Sequence, residues 1–221
     1  MESSMGEHGV FKPAPGAQSQ NKPGLESIMT EPSESTKLEG LHGFAEYAGS
    51  GKLKGKNALI TGGDSGIGRT NIIQMIAMAK FALPHMTRGD SIINTSSVVT
   101  FRGSGTMVDY AATKGAIIGF TRSLATHLIP KGIRANAVAP GAIYTPIQVD
   151  TRDPQQMEGW GHKAGLGRPG EPSEVATSFV FLASADASLY YGQVLHCYTL
   201  GDWIVLQGVV STGRDVAGTF F

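Results

Sequence analysis

Apolar and polar residues occur in blocks of two lengths from residue 57 onward. Short apolar runs typical of buried strands cover residues 57–61, 91–96, 134–139 and 193–198. Longer segments have apolar residues at helical spacing, at residues 70–85, 109–129 and 172–183. Pro172 after Glu171 indicates the start of the last of these helices. Because strands and helices alternate, the pattern predicts an α/β fold with a parallel sheet of about four strands.

The two ends of the chain lack this pattern. Residues 1–50 are rich in Gly, Pro, Ser, Glu and Gln, which predicts a mobile N-terminal arm. Residues 51–202 contain the alternating elements and are predicted to form one domain. Residues 203–221 include the apolar run Trp203–Leu206 without any period, and we leave them as an unassigned C-terminal tail.

Composition excludes several classes of function. Lys plus Arg equal Asp plus Glu at 18 each, so no charge excess favours nucleic acid or an anionic membrane surface. No apolar run approaches the roughly 18 residues that span a bilayer. The single cysteine, Cys197, excludes an internal disulfide and predicts a reducing compartment, the cytoplasm. The six histidines show no metal-ligand spacing, so we expect no metal.

The clearest chemical signal is Tyr110-Ala111-Ala112-Thr113-Lys114. Residues four apart share a helix face, so the Lys114 ammonium can lie beside the Tyr110 phenol and lower its pKa from about 10. Tyr110 would then be a general acid or base near neutral pH. Ser97, at the end of a predicted strand, could hydrogen-bond a substrate oxygen. Tyrosine and lysine also occur in such pairs on ordinary amphipathic helices, which is the alternative interpretation.

A glycine-rich turn, Gly62–Arg69, follows the predicted strand 57–61 and begins the next helix. A strand, a glycine turn and a helix together make a phosphate site, because glycines allow backbone N–H groups to approach a pyrophosphate at the positive helix end. In a chain with 30 glycines the cluster is weak evidence alone, and its place between strand and helix strengthens it.

Together these motifs resemble the short-chain dehydrogenase/reductase family, whose T-G-x-x-x-G-x-G pattern appears as Thr61–Gly68. The resemblance runs from about residue 20 to residue 202 and implies a Rossmann-like sheet, NADP or NAD as cofactor, and a small-molecule alcohol or carbonyl substrate. The implied catalytic residues are Asn71, Ser97, Tyr110 and Lys114. The implied cofactor-binding residues are Gly62, Ser65, Gly66, Ile67, Gly68, Tyr110, Lys114, Pro140, Gly141, Ile143 and Thr145.

Compared with the family pattern, this chain lacks a long internal segment. Gly68 and Ser91 are 23 residues apart, which leaves room for one helix where the family has several strand-helix units. We therefore predict a deletion of the second to fourth strands between Arg69 and Thr70, which also removes the residue that chooses NAD or NADP. Asp90 stands about 20 residues after the glycines, but it introduces a strand, and we interpret it as a turn residue.

The predicted deletion leaves the function open. The first interpretation is a short-chain oxidoreductase with impaired activity, because the glycine turn would shift relative to Tyr110. The alternative is a non-catalytic truncated variant that associates with full-length relatives, and a nucleotide-binding module without catalysis is the weakest reading.

The resemblance also bears on partners and on the substrate loop. We expect a homo-oligomer or aggregate through helices 70–85 and 109–129, with apolar surface from Ile117, Ile118, Phe120, Leu124 and Leu128. Residues 147–169 occupy the family's substrate-loop position. Met157, Trp160 and His162 could therefore face a substrate, or the loop could simply be packed or exposed.

Overall fold

The structure, a computed structural model, describes residues 16–20, 25–40, 43–60, 72–162 and 164–198. The strands are β1 (Lys37–Gly40), β2 (Gly43–Glu46), β3 (Ser91–Thr95), β4 (Arg134–Pro140) and β5 (Val194–Cys197). The helices are α1 (Ile72–Ala82), α2 (Val99–Arg102), α3 (Val108–Leu128), α4 (Pro146–Thr151), α5 (Pro154–Met157) and α6 (Pro172–Ala183). Single 3₁₀ turns cover Glu26–Ile28, Leu83–His85, Ile129–Lys131 and Ala185–Ala187.

The main sheet has the order β3-β4-β5, and both strand pairs are parallel. Every residue of β4 is buried, as expected for the central strand of a parallel sheet that helices cover on both faces. The sequence prediction of an α/β fold with a parallel, Rossmann-like sheet is confirmed.

Helices lie on both faces of this sheet. On one face, α1 and α3 pack around Ala79, Leu124, Leu128 and Ala135. On the other, α6 packs around Val138, Val175 and Leu182. Ala135 and Val138 are an odd number of positions apart on β4, so their side chains point to opposite faces.

Local sequence explains where the helices begin and end. Pro172 occupies the first turn of α6, and Glu171 and Glu174 form a reciprocal capping box around it. After α3, a turn containing Pro130 ends at Gly132, which has φ +68°. A side chain there would be strained and would also meet the Arg88 guanidinium at 2.8 Å.

The structure describes residues 57–60 of the predicted first strand 57–61, and these residues do not form a strand. Leu59 and Ile60 are 78% and 76% exposed. An apolar run becomes a strand only when a neighbouring strand pairs with it, and no described residue does so here. The sheet of the described residues therefore has three strands instead of about four.

Part of residues 1–50, predicted as a mobile arm, contains regular structure and contacts with the domain. β1 and β2 form an antiparallel hairpin, and Gln18 and Met29 are buried against the domain. Composition does not reveal this contact, because it is made by one methionine and by a few polar groups whose partners lie far away in the sequence.

The five apolar residues named for α3 do not supply the expected exposed surface. Ile117, Ile118, Leu124 and Leu128 are buried within the chain, and Phe120 is partly buried against the same core. On α1, by contrast, Ile76, Met78 and Phe81 are exposed.

Candidate active site

The site begins where β3 ends, because the chain stays aligned with β4 for three more residues. The Ser96 N–H donates to the Val138 carbonyl at 2.8 Å, and the Val98 N–H donates to the Pro140 carbonyl at 3.0 Å. Ser97 therefore lies at the carboxyl edge of the sheet, beside the end of β4. This edge is where ligands bind in open α/β sheets.

Ser97 is buried, and its hydroxyl has a fixed position. Its Oγ accepts a hydrogen bond from the Val99 N–H at 3.3 Å, at the start of α2. A hydroxyl that accepts in this way still has its own proton to donate. Ser97 can thus donate a hydrogen bond to an oxygen placed at this edge.

Lys114 ties α3 to the end of β3. Its Nζ donates to the Thr95 carbonyl at 3.1 Å, while the Ser96 hydroxyl donates to the Lys114 carbonyl at 2.9 Å. Only 6% of Lys114 is exposed, and this burial lowers the pKa of its ammonium below the ordinary 10.5.

Tyr110 lies one turn before Lys114 on the same helix, as the sequence predicts. Its side chain is 41% exposed, and the Lys114 Nζ is 5.7 Å from the centre of its ring. Tyr110 is therefore accessible to solvent, with the Lys114 ammonium near its ring.

The segment after β4 has a tight backbone path. The Gly141 N–H donates to the Cys197 carbonyl at 3.1 Å, and a Cβ on Gly141 would lie 2.5 Å from the Tyr198 Cβ, so glycine permits this approach. Pro140, Ile143 and Thr145 are all buried. Thr145 precedes α4, and its carbonyl accepts from the Gln148 N–H at 2.9 Å.

The other predicted site residues cannot be placed. Asn71 and the glycine-turn residues lie outside the described residues, and so does the predicted deletion point between Arg69 and Thr70. The structure brings Ser97, Lys114 and Tyr110 to one edge. The roles predicted for them, and the cofactor contacts of the other positions, remain predictions.

Asp90 is a turn residue, as the sequence indicates. Its Oδ2 accepts from the Thr87 N–H at 2.7 Å, and its carbonyl accepts from the Arg134 N–H at 2.9 Å. These bonds place it at the amino end of β3, opposite the site.

The three candidate substrate-loop residues differ in burial. Met157 is fully buried with Val149 and Tyr144 and cannot face a substrate. Trp160 packs partly against the same cluster and has the Arg152 guanidinium 5.2 Å from its ring centre, whereas His162 is exposed. The region predicted as a loop, residues 147–169, contains the short helices α4 and α5, and each of them has a buried side.

Tyr144 is the residue that the sequence analysis misses. It precedes Thr145, is 1% exposed, and its hydroxyl donates to the Glu31 carbonyl at 2.6 Å. Burial, the Glu31 carboxylate and Glu171 raise the pKa of Tyr144 to about 12, although a hydrogen bond from Gln18 lowers it. The hydroxyl of a buried tyrosine usually has a hydrogen-bond partner, and a tyrosine between apolar residues is the signal that could have found Tyr144.

Neither a metal centre nor a membrane span occurs in the described part of the chain. No three His, Cys, Asp or Glu side chains there lie close enough together to hold an ion. None of its helices is both long and apolar enough to cross a bilayer.

Comparison with protein families gives one broad match. The family model described as enoyl-(acyl carrier protein) reductase matches residues 35–198, which include Ser97, Tyr110 and Lys114.

Individual relatives match a shorter part of the chain. The glucose and ribitol dehydrogenase of Daucus carota is 49% identical over 128 residues, which are 58% of this chain and 44% of the relative. The chloroplastic NADPH-dependent aldehyde reductase 1 of Arabidopsis thaliana is 48% identical over 129 residues, 58% of this chain and 45% of the relative. The chain thus spans less than half the length of these curated relatives.

Among solved structures, the chain is similar to a glucose/ribitol dehydrogenase of the short-chain type from Brucella melitensis. The TM-score is 0.51 at 34% identity, over 57% of this chain and 51% of that one.

Proposed function

Because the chain belongs to the short-chain dehydrogenase/reductase family, we propose that it is an oxidoreductase that interconverts an alcohol and a carbonyl group in a small molecule with NAD or NADP. The observation that carries the proposal is the exposed Tyr110 phenol one turn before the buried Lys114 ammonium, with Ser97 at the adjoining strand end. Relatives named glucose and ribitol dehydrogenase and aldehyde reductase support a hydroxylated or carbonyl substrate of low mass.

The described residues fit the nicotinamide end of such a cofactor. The Lys114 ammonium has three N–H groups, and the bond to Thr95 uses one, so it can donate to ribose hydroxyls. Thr145 would hold the carboxamide, by the family resemblance. The pyrophosphate end would rest on the glycine turn, outside the described residues, and residues 57–60 before it do not form the usual supporting strand.

When bound, NAD or NADP supplies or takes the hydride. The chain's own residues manage the oxygen and its proton. Ser97 donates a hydrogen bond to the substrate oxygen, and Tyr110 gives that oxygen a proton in reduction and takes one in oxidation. The Lys114 charge stabilises the Tyr110 phenolate between the two events.

Purified protein should reduce short aldehydes and oxidise polyols slowly. We expect a turnover below about 1 s⁻¹, the low end of the usual enzyme range, because the predicted deletion displaces the cofactor relative to Tyr110. The turnover is measured from the absorbance of the reduced nicotinamide, with a panel of sugars, polyols and aldehydes as substrates. Tyr110→Phe should abolish turnover, and Tyr47→Phe, at another exposed tyrosine, should not.

Two results would count against the proposal. One is the complete absence of substrate-dependent oxidation or reduction with both cofactors. The other is a turnover that Tyr110→Phe leaves unchanged, since that activity would come from elsewhere in the chain or from a contaminant.

The finer features of the protein are proposals as well. We propose that residues 51–202 carry this function, with residues 203–221 outside the domain, and that the protein is a cytoplasmic homo-oligomer. No observation in the described part of the chain favours the alternative of a non-catalytic partner for full-length relatives.

A further inference from the structure

Two N-terminal stretches, residues 16–20 and 25–34, cross the domain and are called the strap. The strap lies against residues 144–162, called the loop segment, which begins at the carboxyl edge of β4. We propose that the strap holds the loop segment in place and that Tyr144 is its anchor, which makes Tyr144 a positioning residue for the neighbouring Thr145.

The Tyr144 hydroxyl both accepts and donates a hydrogen bond. It accepts a hydrogen bond from the Gln18 Nε2 and donates one to the Glu31 carbonyl at 2.6 Å. Both partners belong to the strap. Because the hydroxyl is buried, losing the strap would leave it and the two strap groups without these bonds, which is costly in a buried position.

The strap is organised to present these partners together. The Thr30 N–H donates to the Gln18 Oε1 at 3.1 Å, so the same amide that binds Tyr144 also joins the two stretches. The Gly16 N–H adds a longer bond of 3.4 Å to the Glu31 carboxylate. One side chain, Gln18, therefore couples strap and loop segment.

Apolar packing reinforces the polar anchor. Met29 is buried from the strap side against Tyr144, Val149 and Met157, and Trp160 covers the edge of this cluster. These partners come from α4, α5 and their flanks. The strap thus covers the interior of the loop segment as well as its first residue.

The far end of the strap is fixed where the loop returns to the domain. The Glu34 N–H donates to the Glu171 Oε2 at 2.7 Å, and the Ser173 N–H donates to the Glu34 carbonyl at 3.3 Å. The Tyr144 N–H donates to the Gly170 carbonyl at 2.8 Å, which joins the start of the loop segment to the residues just before α6. The strap consequently contacts the chain both where the loop segment begins and where the chain returns to α6.

Hydrogen exchange of the full chain, followed by mass spectrometry, tests the proposal. In Tyr144→Phe we expect exchange to become about tenfold faster both in residues 26–36 and in residues 146–162, the effect of losing one buried hydrogen-bonded group. Peptides from β4 and α6 should keep their rates. Tyr190→Phe is the matched control, because Tyr190 lies in the cluster beside α6.

Gln18→Ala separates an anchor from an ordinary core defect, since it removes the strap's partner of Tyr144 and leaves the Tyr144 side chain in place. Faster exchange in residues 146–162 of this variant would support the proposal. Gln20→Ala, whose side-chain oxygen accepts from the Leu25 N–H within the strap, should leave that segment unchanged.

Two outcomes would overturn the proposal. If Gln18→Ala accelerates exchange in the strap alone, the strap is a passive covering. If Tyr144→Phe accelerates exchange throughout the chain, or does not fold, while Gln18→Ala leaves residues 146–162 at wild-type rates, Tyr144 is a core residue only.

The consequence for Thr145 rests on the proposed function and needs its own measurement. Gln18→Ala should weaken NADPH binding severalfold and leave the binding of 2′-phospho-ADP-ribose, the same molecule without the nicotinamide, unchanged. Equal loss for both ligands would refute the positioning role. If neither ligand binds the wild type, the proposed function and the role of Thr145 fail, and the exchange result still decides the strap.

Discussion

Lys114 places a positive charge in a position that is almost closed to water. Burying an ammonium opposes folding, and its bond to the Thr95 carbonyl offsets only part of that cost. A residue of this kind is expected where a charge serves chemistry instead of stability. The site therefore includes a residue whose removal should help the fold and harm the reaction.

We predict that Lys114→Met abolishes turnover and raises the free energy of unfolding by about 1 kcal/mol at neutral pH. Because burial lowers the pKa of Lys114, the folded state releases this proton at a lower pH than the unfolded state. Wild-type stability should thus rise between the folded pKa and 10.5, and the variant should lack this rise. Urea unfolding at several alkaline pH values measures both effects, and a variant much less stable than the wild type would contradict them.

Arg134 is a second buried cation, with a structural task. Its guanidinium donates to the carbonyls of Leu182, Ala183, Ser184 and Ala187 at the end of α6 and in the turn that follows. Carbonyls at a helix end lack partners within the helix and attract positive charge. The first residue of β4 thereby fixes α6 on the sheet.

Arg134→Met should lower the free energy of unfolding by about 3 kcal/mol, since several buried carbonyls lose a charged donor at once. Arg134→Lys should recover only part of this, because one ammonium cannot reach carbonyls spread over the same arc. Arg122→Met, at an exposed position of α3, is the control and should change stability by less than about 0.5 kcal/mol. An Arg134→Lys variant as stable as the wild type would show that charge alone suffices.

At the scale of elements, an ion pair between Arg168 and Glu174 joins the beginning of α6 to the preceding loop. The Arg168 Nη1 and Nη2 donate to the two carboxylate oxygens of Glu174 at 2.9 and 3.0 Å, and Arg168 is buried. Burial raises the pKa of Glu174, but bonds from Arg168 and from the Glu171 N–H outweigh it. The pKa therefore lies below the ordinary 4.5. The pair contributes stability above pH 4.5 that is lost as pH falls through the folded pKa.

Glu174→Gln should cost about 3 kcal/mol at pH 7, because the buried Arg168 guanidinium loses the carboxylate that accepts two of its hydrogen bonds. The double variant Arg168→Met with Glu174→Met should cost clearly less, since no charge remains. The Gln variant should also lose less stability than the wild type between pH 4.5 and acid unfolding. Chemical unfolding of the three proteins across this range measures these differences, and an equal acid loss in all of them would exclude the pair as its source.

Elements were predictable from sequence where local and tertiary signals agree. Pro172 and the capping residues define α6 at Pro172–Ala183, the predicted bounds, and β3, β4 and β5 each lie within about one residue of prediction. Residues 57–60 have a strand's composition but no described pairing partner, and pairing cannot be read from one segment. The docked strap was missed for a related reason, because Gln18 and Tyr144 are 126 residues apart.

For the whole molecule, the sequence predicts one end of the candidate site better than the other. The spacing of Tyr110 and Lys114 specifies their shared helix face, and the position of Ser97 at the end of a predicted strand places it at the carboxyl edge of the sheet. Burial of Thr145 and the anchor at Tyr144 depend on the path of residues 141–170, which has no period to reveal it. The cofactor's phosphate contacts remain predictions for the glycine turn.

Association is the remaining property of the whole molecule, and α1 carries three exposed apolar residues that could take part in it. Phe81 is 70% exposed, and Ile76 and Met78 accompany it on the same helix. Apolar side chains grouped on one surface helix favour contact with a second copy. We therefore expect the wild type to sediment at micromolar concentration as an oligomer or a broad distribution above 23.2 kDa.

Phe81→Lys together with Ile76→Lys should shift the protein toward monomer, because two charges would have to be buried in any contact through α1. Leu189→Lys is the matched control, since Leu189 is also exposed and lies outside α1. Sedimentation velocity across a hundredfold range of concentration distinguishes the cases. A wild type that stays one species near 23.2 kDa throughout would show that this surface has no partner copy. Equal dissociation by Leu189→Lys would place the contact elsewhere.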